Sequence, residues 1–354
     1  MDNRYFSDKL VEWYLMNKRD LPWRDTKDPY KVWLSEIILQ QTRVNQGMPY
    51  YLKFVEKFPT VHDLAAASEQ DVLRLWQGLG YYTRARNMHK CAKVVVSSFN
   101  GSFPTDYHSL QKLPGIGEYT AAAIASFSFQ QPVAVVDGNV FRVLSRVFGI
   151  EKEINRPEGK KAFSTLANSL INPKIPDFHN QGLMEFGALH CLPKNPLCES
   201  CHFLPQCFAA QNNLQSALPR KAKGKPSRRR FFYYIVVQKG KSLLMQKREG
   251  KDIWHGLYDF QLLELNRPSA VNKVLSEVSA IFPGLVKDNE GIVSPPYKHV
   301  LTHQIIIAKF VVIRVQKFMK PKDKNLKFYT FDQINDLPKP VLISRFLSDC
   351  KKLL

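Results

Sequence analysis

The stretch that decides the fold is "LQKLPGIGEYTAAAIASF", residues 110–127. Leu110 and Leu113 close one helix, Pro114-Gly115-Ile116-Gly117 turns the chain, and Tyr119 to Phe127 form a second helix rich in small residues. Glycines at 115 and 117 let another backbone approach closely. The N–H groups at the start of the second helix have no partner inside the helix and can hold a phosphate. An ordinary pair of antiparallel helices accounts for the leucines. The Gly-x-Gly turn in so basic a chain favours a nucleic-acid backbone.

The charge is a property of the whole chain. Its 354 residues carry 51 Lys+Arg against 31 Asp+Glu, a formal net charge of +20. That predicts a polyanionic partner, and a helix-hairpin-helix unit would hold DNA by its phosphates without reading base sequence. The length admits two or three domains with proper cores. Hydrophobic residues make up 44%, yet no window is apolar for the ~20 residues of a membrane span. The opening "MDNRYFSDKL" lacks the apolar core of a secretory signal, so the expectation is a cytoplasmic protein with no membrane partner.

Two carboxylates stand out. In "VVDGNVFRV" (135–143), Asp137 follows a short extended run and precedes Val140, Phe141, Leu144 and Val147 at helical spacing, the position of an N-cap. Backbone N–H groups and the helix dipole favour the ionised form of such an acid, which suits it to face a developing cation. In "DPYKVWLSEIILQQT" (28–42), Asp28 is an N-cap and Pro29 the first helical residue, with Lys31, Ser35 and Thr42 on one polar stripe. Glu36 lies off that stripe, between Val32, Trp33 and Leu39. It is either a buried acid satisfied by Arg or Tyr, or a desolvated general acid with a raised pKa. A protonated acid paired with an ionised one is what cleavage of a glycosidic bond requires. If the leaving group is a base in duplex DNA, it must be flipped out and the gap filled. Gln41 is a candidate polar plug, and Leu79 and Tyr81 in "GLGYY" (78–82) are candidate apolar wedges.

Four cysteines, Cys191, Cys198, Cys201 and Cys207, follow the spacing C-x6-C-x2-C-x5-C. In a reducing compartment they point to a metal or an iron–sulfur cluster, and spacing alone separates neither from the other. Cys91 and Cys350 stand apart from them. "PRKAKGKPSRRR" (219–230) has the composition of a linker. Beyond it the period changes: "FFYYIVVQ" and "SLLMQKR" read as paired strands, "AVNKVLSEVSAIF" as a helix and "THQIIIAKFVVIRV" as further strands. The expected organisation is an all-α domain over 1–210, a basic linker over 211–230 and an α+β module over 231–354.

The motifs "LPWR" (21–24), "WLSEIILQQT" (33–42), "GLGYYTRARN" (78–87), "LPGIGEYTA" (113–121) and "VDGNVFRV" (136–143), with the cysteine loop, resemble the adenine DNA glycosylases of the MutY branch of the endonuclease III superfamily. The resemblance spans the first two hundred residues. It implies removal of adenine mispaired with 8-oxoguanine or guanine in duplex DNA by a monomer, with one 4Fe-4S cluster on the four cysteines. Glu36 would protonate adenine N7, Asp137 would stabilise the sugar cation or bond to it transiently, and Asn139 would support Asp137. Tyr119 would lie near the sugar, with Trp23, Arg24 and Val44 lining the adenine pocket. Bifunctional relatives carry a lysine at the position of Tyr119. A phenol forms no Schiff base, so the expectation is a monofunctional enzyme.

The C-terminal region resembles the Nudix-like module appended to such enzymes. "WHGLYDFQLLEL" lacks the acidic cluster that would hold Mg²⁺, so recognition rather than hydrolysis is expected. "LTH" (301–303) resembles the family's Phe-Ser-His reader of 8-oxoguanine; Thr302 and His303 retain a hydroxyl and an imidazole, while Leu301 stands where the aromatic would stack. The rival readings are a bifunctional glycosylase/lyase and a non-catalytic, cluster-bearing DNA-binding protein.

Overall fold

The structure, a computed structural model, describes residues 2–224, 226–250, 252–282, 291–316 and 325–349. Cys350 lies outside them. The chain divides into two compact units, Met1–Ala66 with Asn87–Lys223, and Ala67–Arg86 with Gly224–Leu354.

Helices follow one another through the first 211 residues: α1 (Asn3–Asn17), α2 (Pro29–Leu39), α3 (Val44–Lys57), α4 (Val61–Ala66), α5 (Glu69–Leu75), α6 (Thr83–Phe99), α7 (Tyr107–Gln111), α8 (Glu118–Phe129), α9 (Gly138–Phe148), α10 (Pro157–Leu170), α11 (Pro176–Leu189) and α12 (Phe208–Gln211). Their starts are chemically marked. Asp28 accepts from the Tyr30 N–H with Pro29 in the first turn, Asp106 accepts from Ser109, and Asp137 accepts from Asn139 and Val140. Each such cap meets a donor that the helix itself leaves unpaired. Phe6, Trp13, Phe163, Phe186 and Phe203 build one core that gathers α1, α9, α10, α11 and the cysteine loop. Ala121, Ala122, Ala123 and Ala125 of α8 are all buried. Their small side chains let α2, which buries Val32 to Ile38, lie against α8.

The second unit is a mixed sheet built on two central strands. β1 (Arg228–Lys239) runs parallel to β7 (Gln304–Arg314) along its whole length. On its other edge β1 pairs first with β4 (Gln261–Leu265) and then with β2 (Ser242–Lys247). β5 (Gly291–Val293) and β6 (Tyr297–Val300) share the outer edge of β7, while β3 (Tyr258–Asp259) and β8 (Lys327–Thr330) pair with β2. Tyr233, Ile235 and Val237 pack on Val274 and Val278 of α13 (Val271–Ile281). On the opposite face Tyr234 stacks on Phe310, and Phe310 on Phe346 of α15 (Val341–Asp349), which follows α14 (Phe331–Asp336). Burial on both faces explains why β1 reads as a continuous apolar run rather than an alternating one.

The domain boundaries differ from the expected ones in two places. The basic run is not free linker at either end. The Arg220 carbonyl accepts from Ile154 and its guanidinium pairs with Glu151, whereas Arg228–Arg230 already belong to β1. Arg230 is 8% exposed because Asp252 and Glu264 both ligate its guanidinium. The second difference is that residues 67–86, which precede the hairpin in sequence, group with the C-terminal module.

Candidate active site

α2 and α9 deliver the two acids into one cavity of about 190 Å³. A dry cavity of ~150 Å³ admits a benzene, so this one is of the size to take a single flat heterocycle. Glu36, Tyr119, Asp137 and Asn139 line it together with Trp23, Arg24 and Val44. All the residues expected for catalysis and for the pocket are thus in one place.

Glu36 is 6% exposed, and burial raises its carboxyl to about 7. The Tyr119 hydroxyl, donating to Oε2 at 2.7 Å, and Arg24 oppose that rise, while the charge of Asp137 adds to it. Asp137 is half-buried and accepts from Asn139 N (2.8 Å), Val140 N (2.8 Å) and Asn139 Nδ2 (2.8 Å). Its capping role was expected to hold it ionised. Burial instead pushes its pKa above the usual carboxylate value, against the pull of those donors. Three N–H donors against one O–H still make Asp137 the readier of the two to ionise. The first proton therefore goes to Glu36. The Tyr119 phenol is itself raised well above its usual pKa by burial, so it is a donor here and not a base.

The Pro114–Gly117 turn also has its two glycines in different roles. Gly115 has φ 77°, and a Cβ there would stand 2.7 Å from Asn87 Cβ. Gly117 is the N-cap of α8 without a side-chain cap, and a Cβ there would meet nothing within 4 Å. The first glycine makes the turn; the second leaves the N–H groups of α8 bare to whatever approaches.

Residues 34–170 match the model of the HhH-GPD superfamily of base excision DNA repair proteins, and residues 232–349 that of the NUDIX domain. An adenine DNA glycosylase of Buchnera aphidicola subsp. Baizongia pistaciae is 33% identical over 361 residues, covering 99% of this chain and 98% of its own. The chain belongs to the adenine DNA glycosylase family. The adenine DNA glycosylase of Rattus norvegicus is 34% identical over 85% of this chain and 69% of its own. Among solved structures, a thermostable thymine-DNA glycosylase matches 59% of this chain and 97% of its own, with a TM-score of 0.56 at 30% identity. A trapped endonuclease III–DNA covalent intermediate matches 59% of this chain and 96% of its own at 0.52 and 23% identity, a likeness of fold. As a member of this family the protein is a DNA N-glycosylase that excises adenine in base excision repair.

This adenine glycosylase carries functional neighbours that the sequence motifs did not single out. Glu185, 1% exposed, accepts five hydrogen bonds from Arg19 and Arg24. Burial would raise its carboxyl, but the two guanidiniums win and hold it at about 2. Arg24 is thereby fixed in the cavity wall. Arg142 donates to Asn139 Oδ1 (2.7 Å), to the Gly187 carbonyl (2.6 Å) and to the Cys191 carbonyl (2.8 Å), so it ties the support of Asp137 to the cysteine loop. Gly187 is the point of closest approach, since a Cβ there would stand 2.6 Å from Asn139 Cβ. A glycine inside a helix costs ~1 kcal/mol against alanine, and "MEFGAL" was the signal that something presses on α11.

Cys191, Cys198, Cys201 and Cys207 are free thiols. Burial raises Cys201 to about 11, with Cys191, Cys207 and Cys198 adding their charge. Among the described residues no three His, Cys, Asp or Glu side chains converge on one metal-ion position. Zinc gathers four thiolates on one ion at ~2.3 Å, whereas a cubane takes one thiolate on each of four irons. Four charge-coupled thiols in one loop are soft donors of the kind that a metal ion or an iron–sulfur cluster takes. Arg146, 3% exposed, adds a guanidinium 3.5 Å from Cys191 Sγ.

The remaining expected residues lie outside the cavity. Gln41 is exposed with φ 56°, just past the end of α2. Of the two wedge candidates only Tyr81 is presented, at 49% exposure; Leu79, at 7%, is packed away and serves as core. Thr302 and His303 form the exposed turn between β6 and β7, closed by the Leu301 N–H to Gln304 carbonyl bond. The Thr302 hydroxyl touches that of Tyr81. No helix among the described residues is long and apolar enough to cross a membrane.

Proposed function

We propose that this adenine glycosylase removes adenine opposite 8-oxoguanine or guanine in duplex DNA, as a monofunctional enzyme and a monomer, leaving an abasic site. The observation that carries this reading is the pairing of Glu36, raised to about 7, with Asp137 in one cavity. Glu36 gives its proton to N7 of the flipped adenine. The C1′–N9 bond breaks, the base leaves neutral, and the Asp137 carboxylate meets the oxocarbenium-like sugar until water adds to C1′ and gives its proton to the Glu36 carboxylate. Asn139 and Arg142 hold Asp137 in place, and Trp23, Arg24 and Val44 close on the base.

Tyr119 supports the monofunctional reading: it offers Glu36 a hydrogen bond and offers the sugar no amine. The four cysteines would hold a 4Fe-4S cluster, which supplies a rigid, charged fold to the loop beyond α11. The bare N–H groups at Gly117 and the net charge of +20 supply sequence-independent DNA affinity. Such an enzyme works in the cytoplasm, on nucleoid DNA.

The test uses duplexes with adenine opposite 8-oxoguanine, guanine and thymine, scored for free adenine before and after alkali. Adenine should be released from the first two, with the strand intact until alkali is added and little adduct trapped by borohydride. Strand cleavage without alkali would return the lyase reading, and DNA binding without adenine release the non-catalytic one. Protein purified anaerobically should be brown, with about four irons per chain; a colourless protein with one zinc would remove the cluster.

A further inference from the structure

The segment 67–86 is bonded to the C-terminal module at both ends. Gln77 Oε1 accepts from the Lys339 N–H (3.2 Å) and Gln77 Nε2 donates to Ser344 Oγ (3.3 Å). Arg86 Nη1 donates to the His255 carbonyl (2.6 Å), the Tyr82 hydroxyl to the Lys339 carbonyl (3.4 Å), and Arg74 pairs with Asp336 (2.6 Å). Gly256, at φ 82°, comes close enough to α5 that a Cβ would stand 3.3 Å from Leu73 Cδ1.

Between these anchors the loop itself is wound tightly. Gly78, Gly80 and Tyr81 all have left-handed φ values (110°, 72° and 48°), unusual for a tyrosine. The Trp76 indole and the Arg84 guanidinium hold the Gly80 carbonyl from inside, and Arg84 lies 5.7 Å from the centre of the Tyr81 ring. An exposed aromatic side chain is thus held in an uncommon backbone conformation by a frame whose outer half is the C-terminal module.

We propose that residues 67–86 work as part of the C-terminal module, which holds the loop presenting Tyr81 through the positioning residues Gln77 and Arg86. The module that would read the base opposite adenine then also sets the ring that fills the gap when adenine leaves the helix. This rests on the function proposed above.

The test is the full-length chain carrying Gln77→Ala and Arg86→Ala together. Base extrusion is read before any bond is broken, by the fluorescence of 2-aminopurine opposite 8-oxoguanine in duplex bound to Glu36→Gln protein, with and without the pair of substitutions. The fluorescence rise should shrink when the anchors are lost. In the otherwise wild-type chain, single-turnover release of paired adenine should slow about tenfold, the size expected for losing three such hydrogen bonds, each at the weak end of the usual range, opposite 8-oxoguanine and opposite guanine alike. Release of an adenine opposite an abasic gap, which needs no unpairing, should stay within about twofold. Restoring Arg86 alone should recover part of the loss.

Equal slowing on paired and unpaired adenine would mean general loosening and would overturn the proposal. So would an unchanged fluorescence rise, or slowing confined to 8-oxoguanine. A wild-type chain that releases no adenine would instead overturn the function, and the fluorescence comparison would still score the loop.

Discussion

The cavity between α2 and α9 and the turn at 301–303 are opposite kinds of site. In the cavity the polar groups are buried or half-buried and bonded to one another: Glu36 to Tyr119, Asp137 to Asn139, Asn139 to Arg142. At the turn, Thr302 and His303 stand in solvent on a short hairpin. Burial moves proton affinities and fixes geometry before the substrate arrives, which chemistry needs. Exposure leaves the His303 imidazole open to an incoming base, and the Thr302 hydroxyl has only that of Tyr81 to exchange for one, as the proposed readout needs. The first site should therefore fail by orders of magnitude when touched, and the second by small factors in a ratio.

The largest break expected is Glu36→Gln, which keeps the shape and removes the proton. Acid catalysis contributes ~10²–10⁴-fold, so single-turnover adenine release should fall by that much while anisotropy shows the duplex still bound. Asp137→Asn should be comparably inactive, and near-normal turnover by either would dissolve the acid pair.

Next comes pH. With Glu36 raised to about 7, the competent protonated form is lost as pH rises through 7, so the rate should fall about tenfold per unit beyond it. Stability should move the same way. Between about pH 4.5 and 7 the folded chain keeps a proton on Glu36 that the unfolded chain has released, so stability declines with rising pH over that window. Glu36→Gln should flatten both profiles. A rate that stays level up to pH 9 would exclude this carboxyl as the acid.

Asn139→Ala should act at an intermediate level. It removes a charge-assisted hydrogen bond from Asp137 and one of the acceptors of Arg142, and a bond of the first kind contributes ~1.5–3 kcal/mol. A loss of at least tenfold in release is the expected result, with binding retained; a silent variant would mean that the capping N–H groups alone suffice.

The smallest effects belong to the turn. Thr302→Ala and His303→Ala should each lower the preference for adenine opposite 8-oxoguanine over adenine opposite guanine by ~1 kcal/mol, about fivefold. Leu301→Phe should raise it by supplying a stacking face. If all three leave the ratio unchanged and weaken both duplexes equally, the turn is only surface.

The two sites were not equally readable. Glu36 and Asp137 could be found because each breaks or makes a local rule: an acid among apolar helix positions, and an acid at an N-cap. Arg142 and Glu185 obey no local rule that separates them from ordinary helix residues, and Gly187 shows only as a glycine inside a helix, without its partner; their importance comes from contacts 45 to 166 residues away along the chain. The same limit hid the allegiance of residues 67–86. Their helical pattern is like that of their neighbours, and only the bonds to His255, Lys339 and Ser344 assign them to the C-terminal module. Arg230 misled in the other direction. A run of arginines reads as solvated charge unless the carboxylates that bury it, Asp252 and Glu264, are in view.

Asp137 begins α9 as well as lining the cavity, and that double duty has a consequence for how a loss at this position would show itself. Asparagine caps a helix as well as aspartate does, so exchanging the carboxylate for an amide removes the anion and leaves the helix start satisfied. A cell's proteolytic surveillance acts on unfolded protein, and it would have nothing to recognise in such a variant. The altered chain would persist at normal abundance, folded and without the anion that faces the cavity. A substitution at this one position should therefore silence the cavity without lowering the amount of folded chain, whereas one that unfolds the same helix should lower both.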